Sequence, residues 1–270
     1  MTMHTAPLIA LLTDFGLADP YVGQMKAVLL SAAPGVSLVD VSHGVARGDV
    51  AQAAFFLAAT LPWLPPGSVV AAVVDPGVGT ARRALVVEIA SRLVAAPDNG
   101  LLTLALAQAA GYRVFDATPR SAPASATFHG RDVFAPLAAR LAQGEAPSSL
   151  GQALSRDALV ILPGLTAKRR GDVVTARVLS VDGFGNVVTS CDVARFGAAC
   201  ARPQLLAPAP RALAPAATYA DLGPGEVGLL AGSQGYLELA VNGGSAAALL
   251  GLARGDGLEL FLPAEAHEHR

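Results

Sequence analysis

The residues of this chain best suited to handling water and protons stand at the ends of apolar runs in its first half: Asp14, Asp75 and His129, with Arg82 seven positions after Asp75. A guanidinium on a loop that folds back can grip a carboxylate with two parallel hydrogen bonds and fix its orientation. The same spacing suits a structural ion pair closing a strand–helix turn, and such pairs are often no more than that. Asp19 lies just beyond Asp14, and a polar turn, Asp182-Gly183-Phe184-Gly185-Asn186, comes far downstream. Acceptors dominate this set, and Arg82 is its one strong donor. That balance suits a neutral or cationic ligand bearing hydroxyl and amino groups, a nucleoside or a sulfonium rather than a phosphate.

Competing chemistries fit less well. Gly77-Val78-Gly79-Thr80 resembles a phosphate loop, but it lacks the lysine of GxxxxGK[ST], its spacing is not GxGxxG, and an acid leads it. The chain contains no GxSxG, so a serine nucleophile has no support. Asp14, Asp75 and His129 sit in separate segments without metal-ligand spacing, so no metal is expected.

The elements that must position these residues follow from periodicity. Leu8 to Thr13 and Val69 to Val74 are unbroken apolar runs ending in Asp14 and Asp75, the pattern of central strands that deliver carboxylates to the C-terminal edge of an open sheet. Tyr21 to Ala32 and Asp49 to Thr60 read as helices, with Asp49 as N-cap, and Val36 to Val41 as a strand ending near His43, which suits a structural hydrogen-bonding role. Ala84 to Ile89 and Leu93 to Ala95 read as strands joined at Ser91-Arg92, Pro97-Asp98-Asn99-Gly100 as a turn, and Ala117 to Thr127 as a surface loop delivering His129. The alternation predicts an α/β N-terminal domain, residues 1–165, with a mostly parallel central sheet. Beyond the basic cluster Lys168-Arg169-Arg170 the texture changes to short β-rich segments between Gly- and Pro-bearing turns, predicting a small all-β, barrel-like C-terminal domain over residues 171–270. Arg202 to Ala217, rich in Ala and Pro, reads as a surface excursion.

Composition sets the bounds. Of 270 residues, 53% are hydrophobic and 15% charged, enough for a sizeable core, and 19 basic against 21 acidic residues leave a net charge of -2, without the basic footprint of a nucleic-acid or anionic-membrane partner. Cys191 and Cys200 lack CxxC spacing, which fits a reducing compartment. The first residues show neither a signal peptide nor a membrane span, so the expected location is the cytoplasm.

Six strings carry a resemblance: LLTDFGLADPYVGQMK, VVDPGVGTARR, APDNGLL, TFHGRDVFAPLAARLA, VDGFGNVVTS and GSQGYLELAVNGGSAA. In order and spacing, over nearly the whole chain, they resemble the S-adenosylmethionine hydroxide adenosyltransferase family, whose relatives include fluorinase and chlorinase. The resemblance implies an α/β domain followed by a small β-barrel, a homotrimer with active sites at subunit interfaces, and hydrolysis of S-adenosyl-L-methionine to adenosine and L-methionine without a cofactor. It implies that Asp75, Arg82 and His129 handle the water, that Asp14 binds the ribose diol, that Asp19 and Asp182 lie near the methionine ammonium, that Asn186 reads adenine, and that Ser233 clamps the methionine carboxylate. Glu238 matches a family element and equally suits a structural strand residue.

The chain departs from the family pattern at Ser190 and at Ala46-Arg47. Halogenating relatives have tyrosine where this chain has Asp75; a carboxylate there repels a halide and accepts a hydrogen bond from water, which favours hydrolysis. The rival readings are a halogenase and a non-catalytic sensor of adenosine or S-adenosylmethionine.

Overall fold

A computed structural model describes residues 7–197 and 202–263. The chain divides into two compact units, Met1–Leu162 and Pro163–Arg270.

In the first unit the elements run β1 (Leu8–Thr13), α1 (Tyr21–Ala32), β2 (Ser37–Ser42), α2 (Val50–Thr60), β3 (Val69–Val73), β4 (Ala84–Ile89), β5 (Arg92–Pro97), α3 (Thr103–Gln108), β6 (Tyr112–Asp116), α4 (Ala135–Ala142), α5 (Pro147–Leu150) and β7 (Gln152–Ala153). The strands form one sheet in the order β2-β1-β3-β5-β4-β6-β7. Every residue of β3 is buried, as its unbroken apolar run requires of a strand covered on both faces. Ile9, Leu11, Val69, Ala71 and Val73 face one way, onto Met25 and Leu29 of α1 and Leu137, Ala138 and Leu141 of α4. The alternate residues Ala10, Leu12, Val70 and Ala72, equally buried, face the side of α2 and α3.

The sheet is mixed, which corrects the expectation of a mostly parallel one. β2, β1, β3 and β5 pair in parallel, whereas β5 with β4, β4 with β6 and β6 with β7 pair antiparallel. The cause is local. Ala90 and Ser91 both have positive φ (49° and 62°), so Ile89 and Arg92 are joined by a two-residue hairpin turn with no room for a crossover.

In the second unit the order is β8 (Lys168–Arg170), β9 (Val173–Val181), β10 (Val187–Asp192), α6 (Val193–Phe196), β11 (Gln204–Ala207), β12 (Arg211–Ala212), β13 (Ala214–Pro215), β14 (Val227–Ala231), β15 (Tyr236–Val241), α7 (Ala246–Leu250) and β16 (Gly257–Phe261). Their sheet runs β12-β11-β16-β9-β10-β15-β14-β13, with β8 added to β9. Its two ends, β12 and β13, are separated in sequence by Leu213 alone, so the sheet curls until it is nearly closed. Val174, Val187, Leu205, Leu229, Leu239 and Leu260, from six different strands, meet in the core that it wraps.

Two stretches, one read as the domain boundary and one as a surface excursion, prove to contain strands. The basic cluster Lys168-Arg169-Arg170 pairs with Val173–Thr175 across a tight turn, and the Ala/Pro stretch supplies β11 to β13. β8, β12 and β13 are edge strands, where charged residues and proline fit without interrupting a ladder, whereas β11 lies between β12 and β16. Cys191 is buried with a free thiol pushed up to about 11 by burial, and Cys200 lies outside the described residues. Among the described residues, no helix is long and apolar enough to cross a membrane.

Candidate active site

β1 and β3 are parallel neighbours with Thr13 opposite Val73, so Asp14 and Asp75 leave the sheet at the same edge. The chain passes from β1 to β2 on one side and then to β3 on the other, and such a reversal opens a crevice at the strands' C-terminal ends. Asp75 opens a pair of tight turns, Val78 N–H to Asp75 C=O and Thr80 N–H to Gly77 C=O, each 3.2 Å. A Cβ on Gly79, whose φ is +80°, would stand 2.9 Å from the Ala126 carbonyl oxygen; glycine is needed for this loop to press against the loop leading to His129.

The turns swing Arg82 back onto Asp75. Its Nε donates to Asp75 Oδ1 at 2.8 Å and its Nη2 to Asp75 Oδ2, while Nη2 also donates to His129 Nδ1 at 2.9 Å. Nη1 reaches the Arg83 carbonyl at 3.4 Å, and the guanidinium lies 5.1 Å from the centre of the buried Phe134 ring. The side chains of Asp75 and Arg82 are 4% and 10% exposed. This is a bidentate, largely desolvated pair rather than a surface salt bridge. Because a guanidinium only donates, His129 Nδ1 must be unprotonated and its hydrogen sits on Nε2. Burial, and then the positive charge of Arg82, hold the His129 pKa below its ordinary 6.5, against the opposing pull of Asp75 and Asp132.

His129 introduces a π-helical turn, Gly130–Phe134, closed by the Ala135 N–H on the Gly130 carbonyl. Pro136 explains the wide turn. It has no N–H for the carbonyl four residues back, and its ring clashes there. Asp132, within the turn, accepts from the Ser125 N–H at 2.8 Å and is gripped by Arg131, which anchors the preceding loop.

Asp14 Oδ2 accepts from the Gly48 N–H at 2.7 Å, and a Cβ on Gly48 would lie 3.6 Å from Pro76 Cβ, so Asp14 borders the Asp75 turn. The buried His43 bonds Thr13 Oγ1 through Nδ1 at 2.8 Å, a structural role. Asp19 lies exposed in the loop between β1 and α1. Sequence reasoning missed the aromatic cluster of Phe15, Tyr21 and Phe128, whose ring centres lie 5.1 to 6.0 Å apart. The available signal was adjacency: Phe15 follows Asp14, and Phe128 precedes His129.

The second unit gathers another set. Asp182 Oδ1 accepts from the backbone N–H groups of Phe184 and Asn186, and Oδ2 from the Asn186 side-chain amide, all at 2.9 Å. Asn186 is thereby buried with its amide plane fixed. Glu238, buried on β15, accepts from the Tyr219 hydroxyl at 2.5 Å. Burial is the main cause raising the Glu238 pKa, with the Asp182 charge adding to it, and the hydrogen bond to Glu238 is the main cause pushing Tyr219 up to about 12. Ser233 is exposed in the turn between β14 and β15. Tyr219 was not singled out from the sequence, because a tyrosine beside an Ala/Pro tract carries no motif.

Residues 9–151 match the model of the SAM hydroxide adenosyltransferase N-terminal domain, and residues 176–259 match that of its C-terminal domain. The chain belongs to this family. Among its relatives, a protein of Salinispora tropica named (R)-S-adenosyl-L-methionine hydrolase is 44% identical over 269 residues, spanning 96% of this chain and 99% of that one. One of the same name from Thermus thermophilus is 44% identical over 255 residues, spanning 90% and 95%. The crystal structure of an uncharacterized conserved protein from Thermotoga maritima superposes with a TM-score of 0.85 at 32% identity, covering 93% of this chain and 99% of that one.

Proposed function

We propose that this member of the family hydrolyses S-adenosyl-L-methionine, in the (R) sulfonium configuration that its relatives' names carry, to adenosine and L-methionine. The observation that carries this is Arg82, which holds Asp75 with two donors and His129 with one of the same nitrogens. Each Asp75 oxygen keeps a second lone pair to accept from a water, and the fixed guanidinium and neutral imidazole hold that water beside it. The water oxygen bonds to the ribose C5′ as the C5′–S bond breaks, the electron pair passes to sulfur, and one proton is released. Methionine leaves as a neutral thioether and needs no general acid. The protein's work is alignment and exclusion of bulk solvent.

In this reading Asp14 faces the ribose diol, Asn186 reads adenine, Asp19 and Asp182 accept from the methionine ammonium, and Ser233 holds its carboxylate. Fixing both ends of the sulfonium distinguishes its two epimers. The enzyme acts in the cytoplasm without a cofactor or metal, as a homotrimer with sites at subunit interfaces. Leu17 and Phe184, apolar and 77% and 82% exposed beside the two sets of polar residues, support a partner surface at each.

Purified protein incubated with each sulfonium epimer, with adenosine followed by chromatography, tests the proposal. Adenosine should form, and faster from the (R) form. Tight binding without turnover would make the protein a sensor, and a 5′-halogenated nucleoside formed in the presence of chloride or fluoride would make it a halogenase.

A further inference from the structure

Glu238 is an anomaly on its strand. Its neighbours on β15, Tyr236, Leu237, Leu239, Ala240 and Val241, are all buried and mainly apolar, and a carboxylate among them is costly to desolvate. Leu237 and Leu239 point into the barrel core, so Glu238 points to the other face, where Ala240, Leu222 and Leu230 form a small apolar patch. Folding alone would be served there by another apolar residue.

The two Glu238 oxygens have different tasks. Oε1 takes the hydrogen bond from Tyr219, on the short 3-10 turn Tyr219–Asp221. That turn is itself fixed by a reciprocal cap: the Thr218 side chain accepts from the Asp221 N–H, and the Asp221 carboxylate from the Thr218 N–H. Oε2 lies under the backbone of Gly232, where a Cβ would stand 2.6 Å from it. Gly232 opens the β14–β15 turn, its N–H donating to the Tyr236 carbonyl at 2.8 Å and its carbonyl accepting from Gly235 at 3.0 Å, with Ser233 next along the chain. The Tyr219 ring is half-exposed, so the pair joins the surface to the underside of this turn.

We propose that Tyr219 and Glu238 form a positioning pair that sets the height of the Ser233 turn, and through it the affinity for the amino-acid end of the substrate. This rests on the reading of Ser233 as the carboxylate clamp. Neither residue touches the reacting carbon. The charged group facing the pair from the β9–β10 turn is Asp182, which holds Asn186 through hydrogen bonds that neither Tyr219 nor Glu238 shares.

Calorimetric binding of S-adenosyl-L-methionine, L-methionine and adenosine to the intact protein and to Tyr219→Phe tests this. The variant should bind the two methionine-bearing ligands roughly tenfold more weakly, the loss expected of one charge-assisted hydrogen bond, and adenosine within about twofold of the original. In turnover, KM should rise while kcat stays within about threefold. Glu238→Ala should show the same split, and Tyr219→Phe in that background should add little, since the two act as one unit. If Glu238→Ala does not fold, the split in Tyr219→Phe alone decides. Equal weakening of adenosine and methionine, or none of methionine, overturns the inference while leaving hydrolysis standing. Unchanged protein that binds neither S-adenosylmethionine nor its products overturns the proposed function itself.

Discussion

The two clusters of polar residues use carboxylates in opposite ways. At the edge of the first unit's sheet, Asp75 is matched by a guanidinium that touches both its oxygens and also holds His129. In the second unit, Asp182 and Glu238 are held only by N–H and O–H donors, and no cation pairs with either among the described residues. A carboxylate clamped by arginine has its geometry fixed and its charge balanced, which suits steering a small neutral nucleophile. Carboxylates satisfied by neutral donors keep a net negative field, which suits attracting a cation such as an ammonium or sulfonium. Fold follows the same division. Asp75, Arg82 and His129 stand on loops leaving a sheet covered on both faces, whereas Asp182 stands on the β9–β10 turn and Glu238 on a strand of the nearly closed sheet.

If that contrast is functional, substitutions in the two clusters should separate cleanly into rate and affinity. The largest effect belongs to Asp75→Asn, which removes the acceptor charge: kcat should fall by about 100- to 10,000-fold, the usual worth of a positioned proton acceptor, with adenosine affinity kept. An unimpaired variant would remove Asp75 from the chemistry and end the comparison. Asp182→Ala leaves three N–H donors without their acceptor and should raise KM by about 10- to 100-fold with a much smaller change in kcat, read from steady-state kinetics. A collapse of kcat with KM unchanged would place the chemistry in both clusters.

The smallest effect sharpens the first cluster. An NMR titration of the His129 ring should give a midpoint below 6.5, so activity should hold above that pH and fall only in more acid solution, as protonation removes the Nδ1 lone pair that receives Arg82. Between the folded and unfolded midpoints the unfolded chain binds the extra proton, so this histidine's contribution to stability is lost as pH falls through that window. Asp132→Asn removes one of the two carboxylates that raise the His129 pKa and should move the midpoint further down, by under about one unit. A shift upward would mean that the loop anchored by Asp132, rather than its charge, governs the imidazole.

Much of this was legible in the sequence because the determinants are local. Unbroken apolar runs ending in Asp14 and Asp75 specify buried strands and place both acids at one edge, and the Pro- and Gly-bearing turn from Pro76 to Ala81 brings Arg82 back to Asp75. The sheet's direction was not legible from alternation alone, because it turned on two residues, Ala90 and Ser91, in a backbone conformation that non-glycine residues seldom adopt. Strands β8 and β11 to β13 were hidden for another reason. β8, β12 and β13 are edge strands, which need few apolar residues, and β11, between β12 and β16, is only 4 residues long, so their identity comes from the partners that accept them.

What the sequence alone determined, then, was the inventory: which acids, arginine and histidine exist and on which kind of element each stands, since strand and turn formation depend on neighbours in the chain. Tertiary structure decided which of them act together. His129 meets Arg82 across 47 residues, and Tyr219 reaches Glu238 only when a nearly closed sheet brings the turn before β14 over the face of β15. Hydrogen bonds form over a few ångströms of space, whatever the distance along the chain, so their partners become defined only when the sheets have closed around their cores.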